Sequence, residues 1–174
     1  MLPFAAHCAT VQRYLEERYG IKVVTRDIPD PLTGDLDGAE IHIDHAVSDE
    51  ERLFLLAHLF GHTAQWNAIP GAFEIGRLHP PPVEEELLAR IVAYERDAAG
   101  YSLAMLHAAG VTDADQWLSD YTATDMAYLQ HYYRTGEKRE FRSFWIANAG
   151  LVTPIPVPAF TPSKLKMRID GIVI

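Results

Sequence analysis

A single cysteine, Cys8, is the whole thiol inventory of this 174-residue chain, so no disulfide can form within it. That excludes the stapled scaffolds of small secreted proteins and suits a reducing compartment such as the cytoplasm. Basic side chains are scarce as well: 15 Lys and Arg stand against 24 Asp and Glu, a formal charge of -9. A surface of that sign repels phosphate backbone and anionic bilayers, so neither direct nucleic-acid nor membrane binding is expected. No apolar run approaches the ~20 residues of a membrane span. The opening "MLPFAAHCATVQRYLEE" lacks the basic lead and apolar block of a signal peptide. Phosphate-cradling glycine loops, a dinucleotide fingerprint, a serine elbow and zinc-ribbon cysteine pairs are all missing, which removes the commonest nucleotide and nucleophile chemistries.

What remains is 48% apolar, enough for a core in one domain. "TVQRYLEERYG" has helical spacing and a stop at Gly20. "IKVVTRDI" reads as a strand and "PDPLTGD" as a turn. "DGAEIHIDHA" reads as a second strand, with Ile41 and Ile43 on one face and His42 and Asp44 on the other. A helix followed by a small antiparallel sheet is therefore expected. Ser48 with Glu51 three residues on is a capping box, predicting a helix from there to about Trp66, apolar around most of its circumference and hence in the core. A second long helix is predicted in "VEEELLARIVAYERDAAGYSLAMLHAAG", opened by prolines and glutamates and closed at Gly110. "TDADQWLSDYTATDMAYLQHYY" predicts two shorter helices broken around Thr122 to Thr124. "RTGEKREFR" reads as a solvated turn, and "LVTPIPVPAFTPSK" must be extended. "LKMRIDGIVI" is read as a closing hairpin turning at Asp170-Gly171.

One pair of residues carries chemistry. His58 and His62 lie four apart within "FLLAHLFGHTAQW", so both imidazoles face one side of the helix, about 6 Å apart along the axis. One tetrahedral metal ion can take both. Chance supplies roughly a third of one such pair among eight histidines, so support must come from elsewhere. It comes from the stripe Leu88, Ile91, Glu95, Ala98, Ala99, Ser102 and Leu106 on the next long helix. A carboxylate on an apolar stripe needs a cation, a proton or hydrogen bonds, and the two alanines allow close helix approach. His58, His62 and Glu95 would form an open three-ligand zinc site with water in the fourth position. Without metal, the same residues read as core histidines bonded to backbone carbonyls and a Glu95 salt bridge to Arg52 or Arg90. His79 reads as a surface loop residue, and His42, His45, His107 and His131 lack a ligand-like context. Trp117, Tyr121, Tyr128, Tyr132 and Tyr133 read as packing of the third helical layer, and Cys8 as an unactivated thiol.

The run "DGAEIHIDHAVSDEERLFLLAHLFGH", followed by "AYERDAAGYSLAML", resembles the ImmA/IrrE family of zinc-dependent metallopeptidases over about residues 10 to 107. "AHLFGH" aligns without a gap with the family's "AHELGH", and "ERDA" with its later "ExxA". The resemblance implies an α+β, zincin-like single domain, with residues 108–174 as a C-terminal extension packed on it. It also implies zinc held by His58, His62 and Glu95, and action on a partner regulator protein, often a DNA-binding repressor; the lone cysteine and the lack of a signal peptide point to a cytoplasmic location. The departure falls on the catalytic residue. The family's general base is a glutamate at the position of Leu59, and losing such a base forfeits about 10²- to 10⁴-fold in rate. Hydrolysis is thus expected to be weak or lost. Glu84, Glu85 and Asp97 are the nearby acids, and nothing in the sequence aims them at the ion. The alternative is a non-catalytic zincin-fold module that binds a protein or peptide along its sheet edge without metal.

Overall fold

The computed structural model describes residues 2–30, 32–77 and 79–166. Helix α1 (Phe4–Tyr19) begins well before the predicted Thr10, with the Pro3 carbonyl accepting from His7 N–H at 3.0 Å. It ends where expected, at Gly20 in the left-handed region (φ 70°), a conformation that glycine adopts without penalty. Strands β1 (Lys22–Arg26), β2 (Gly34–Leu36) and β3 (Glu40–Asp44) follow. β2 occupies the end of the expected turn.

The sheet is mixed, not antiparallel. Its order is β1-β3-β2, with β1 parallel and β2 antiparallel to β3. The predicted alternation holds, since Ile41 and Ile43 are fully buried. Burying both isoleucines draws β3 to the centre, and the chain must therefore pass along the far edge as β2 before entering it. The return from β2 to β3 is set by Asp37, whose Oδ1 accepts from the N–H groups of Ala39 and Glu40 at 2.9 and 2.8 Å.

Helix α2 (Asp49–Ala68) starts with the predicted capping box: Ser48 Oγ accepts from Glu51 N–H, and Glu51 Oε2 accepts from Ser48 N–H at 3.0 Å. A short α3 (Ala72–Ile75) precedes α4 (Glu85–Ala108). Helix α5 (Asp115–Thr135) is continuous, in contrast to the expected break. The threonines that signalled a break are buried, and Thr124 Oγ1 returns to the Asp120 carbonyl at 2.8 Å, keeping the hydroxyl within the helix. Packing overrides their weak helix propensity.

Among the described residues no helix is long and apolar enough to cross a membrane. Helices α1 and α4 flank α2, and the sheet packs on α2, so α2 is the centre of the α+β arrangement. After a 3₁₀ turn (Phe141–Phe144) the chain runs extended to residue 166, as the prolines predict. It is pinned across the helices by Val152 N–H to Ser119 Oγ (2.9 Å), Ile155 N–H to the Gly100 carbonyl (3.0 Å) and Ser163 N–H to Asn67 Oδ1 (2.9 Å). "RTGEKREFR" is exposed apart from Phe141. The hairpin expected at Asp170-Gly171 lies outside the described residues.

Candidate metal centre

Gly61 determines how close α2 and α4 come. A Cβ at this position would collide with the Ala98 carbonyl oxygen and lie 2.8 Å from Ser102 Oγ. Ser102 Oγ lies 2.7 Å from the Ala57 carbonyl across the interface and 2.8 Å from the Ala98 carbonyl of its own helix. The helices are antiparallel, and this contact brings the Glu95 level of α4 against the His62 level of α2.

The three predicted side chains meet there. His62 Nε2 is 3.1 Å from His58 Nε2 and 3.1 Å from Glu95 Oε2, and His58 Nε2 is 3.9 Å from Glu95 Oε2. Their donor atoms all lie within 4.8 Å of one another. A tetrahedral ion with bonds of about 2.05 Å separates its ligand atoms by about 3.3 Å. The observed triangle is close to one face of that tetrahedron. The side chains are 13%, 7% and 13% exposed for His58, His62 and Glu95, so the group is enclosed but not sealed.

His62 is held on every side. Its Nδ1–H donates to Gln65 Oε1 at 2.9 Å, and Gln65 Nε2 donates in turn to the Tyr94 carbonyl at 2.8 Å. That chain fixes the ring and presents Nε2 to the group, as the outer partners of metal-ligating histidines do. The Tyr94 ring stacks on His62 at 4.5 Å, while Phe54 stacks on His58 at 5.1 Å.

Electrostatics follow from burial. Desolvation and the neighbouring His62 charge hold His58 down at about 3, so it is neutral. Desolvation also opposes charge on His62, but the Glu95 carboxylate outweighs it and raises His62. Burial pushes Glu95 up, and the two histidines more than reverse that, so its carboxyl is lowered. The two shifts favour charge on both His62 and Glu95, 3.1 Å apart, beside a neutral His58 nitrogen.

Leu59 is fully buried, with its Cδ1 3.1 Å from where a Cβ on Gly34 of β2 would stand. Position 59 faces the sheet as part of the core. Of the three acids named from the sequence, Glu85 pairs with Arg134 and Asp97 with Arg96, and Glu84 caps the start of α4 without a side-chain hydrogen bond. Arg52 donates to Thr25 Oγ1 and Gln12 Oε1, and Arg90 is exposed, so neither arginine supplies the salt bridge considered for Glu95.

His79 Nε2 is 3.1 Å from the Ile75 carbonyl and is not one of the three. His42 and His45 do stand among carboxylates, with Asp37 and Glu40 and with Asp27 and Asp44 respectively. The aspartates there already serve backbone N–H groups, Asp37 those of Ala39 and Glu40 and Asp44 those of Ile28 and Ala46. A cavity of about 290 Å³ lies between Arg18, Tyr19 and residues 157–162, and includes none of the three side chains.

Asp125 was not anticipated. It lies on α5, 8% exposed, and is pushed up to about 8 by burial and then by the Glu95 charge. The sequence signal was an aspartate at four-residue spacing from Tyr121 on a buried face, hidden by the expected break at Thr122 to Thr124.

Comparison with protein-family models, curated proteins and solved structures finds no match for this chain. The His58, His62 and Glu95 group has an arrangement compatible with a metal ion.

Proposed function

We propose that the protein is a zinc-binding, metallopeptidase-like protein of the ImmA/IrrE type, cytoplasmic, acting on a partner regulator protein, with hydrolysis weak or lost. The carrying observation is the donor triangle of His58, His62 and Glu95, with edges of 3.1, 3.1 and 3.9 Å. Its donor chemistry, two imidazoles and a carboxylate, suits zinc. Gln65 supports the assignment because it orients the His62 ring without using Nε2.

A zinc ion held there supplies Lewis acidity, polarising a carbonyl and acidifying water. The chain's own residues do less than a working peptidase needs. His58 and His62 offer neutral nitrogen, Glu95 offers charge, and Leu59 has no group that can take a proton. The acidic surface favours a protein partner over DNA.

A second reading has its own observation. In the absence of metal the His62–Glu95 ion pair satisfies both groups, which suits a non-catalytic module that binds a peptide without metal.

Metal analysis of the purified protein separates the two readings. Zinc near one equivalent, lost in His62→Ala, is the expected result; protein that neither retains nor takes up zinc supports the second reading. Catalysis is tested with Leu59→Glu loaded with zinc. If this variant binds the ion and still cleaves no candidate partner, a latent peptidase is untenable.

A further inference from the structure

We propose that Asp125 belongs to the metal centre as its second carboxylate, an outer negative charge for a divalent cation held by His58, His62 and Glu95. The proposal rests on the metal reading above and adds a residue to it.

Two helix registers converge on Asp125. Side chains of α5 reach α2 at an offset of 67 residues: Trp117 Nε1 donates to Glu50 Oε1, and one turn later Tyr121 stacks on Phe54 at 4.2 Å. Carried one turn further, the same offset pairs Asp125 with His58. Helix α5 also runs antiparallel to α4. Arg134 pairs with Glu85 near one end and His107 with Asp115 near the other. Between those pairs, Asp125 falls level with Glu95. It shares the face of Tyr121, since residues four apart on a helix lie one above the other.

The environment of Asp125 is otherwise unexplained. The residue is more than nine-tenths buried. Among the described residues no hydrogen bond or ion pair reaches its carboxylate; after burial, the Glu95 charge disfavours its ionisation most, and the His62 charge opposes that. A carboxyl group in that setting keeps its proton unless a cation compensates the charge. One divalent ion does so: two carboxylates and two neutral imidazoles around it carry no net charge, whereas Glu95 alone would leave a buried positive charge. Asp125 is not among the three donors that lie within 4.8 Å of one another. Its part is therefore compensating charge and orientation, that of a positioning residue.

The test uses zinc alone, titrated into metal-stripped full-length protein against a chromophoric chelator, with thermal melting of each form. Asp125→Asn keeps the shape and removes the charge. Its zinc affinity is expected to fall about 10- to 100-fold, as for other outer partners of metal sites. Its metal-free form should melt no lower than the parent, and its zinc-induced rise in Tm should shrink. Asp125→Ser, with the same expectations, guards against an effect peculiar to asparagine. If both variants bind zinc within twofold of the parent while Glu95→Gln has lost it, the role of Asp125 is overturned and the three-ligand site stands. If the parent itself takes up no zinc, the metal reading fails and this proposal with it.

Discussion

Cys8 shows how a single residue's surroundings decide its chemistry. Its thiol donates to the Asp49 carbonyl at 3.3 Å, and burial pushes it up to about 11, with Arg52 opposing and Asp49 assisting. Relative to an unfolded cysteine, whose value is 9.0, the native thiolate fraction at pH 8 is lower by roughly 100-fold. Iodoacetamide should accordingly modify native Cys8 at least that much more slowly than the guanidinium-unfolded chain, as followed by mass spectrometry. Equal rates would mean that the α1 packing opens readily. The same scale explains what the sequence disclosed about the site. Two imidazoles four apart and a carboxylate on an apolar stripe were legible because each breaks a pattern of burial. The supporting groups were not. Gln65 looks like any polar helix residue until its two hydrogen bonds are seen, and Tyr94 looks like core.

At the scale of elements, the α2–α4 interface is the part on which the site depends. Gly61→Ala adds a methyl group with no space to occupy, because the Ala98 backbone is in the way and Ser102 Oγ stands at 2.8 Å. The helices must separate, at a cost of about 1–3 kcal/mol. Thermal melting should show a loss of several degrees, and zinc affinity should fall in parallel because Glu95 is carried away from His62. An unchanged melting temperature would show that the approach is looser than the contacts indicate. The start of α2 was legible in full, since the reciprocal Ser48–Glu51 bonds are local. The continuity of α5 was not, because what holds Thr122 and Thr124 in a helix is burial supplied by distant residues. Strand order was equally hidden: alternation identifies Ile41 and Ile43 as inward-facing but is silent on which neighbours pair with them.

On the scale of the whole molecule, the extended tail is stapled to the sheet. Lys166 Nζ lies 2.8 Å from Asp35 Oδ1, with both side chains largely buried, and Leu165 N–H donates to the Asp37 carbonyl at 2.7 Å. Lys166→Ala leaves Asp35 buried without its partner and should cost about 3–5 kcal/mol near neutral pH. Asp35 is already raised by burial, with Lys166 working against that rise. Protonation relieves the unpaired charge, so the deficit should shrink as pH falls toward 4 in denaturant titrations. A deficit independent of pH would point to lost packing instead.

Alkali acts on the whole fold. Burial raises Tyr94, Tyr121 and Tyr128, pushes Tyr133 up to about 12 and Cys8 to about 11. These acids release protons more readily when unfolded, so the stability they contribute is level below their unfolded values near 9 and 10 and is lost as pH rises through them. The denaturant midpoint should therefore drop between pH 9 and 11, ahead of native phenolate absorbance. A flat profile across that interval would contradict the burial of these groups.

The sequence by itself determined the local matters: where α2 begins, that its histidines share a face, that Glu95 lies on a buried stripe, that the proline-rich segment is extended. Each follows from interactions within a few residues. Only the tertiary structure decided that Glu95 reaches His62, that Leu59 turns toward β2, that Asp125 is buried, and that the tail returns to the sheet. Those facts depend on the distance between helices far apart in the chain, and that distance is set by contacts such as Gly61 against Ala98, which no local pattern specifies.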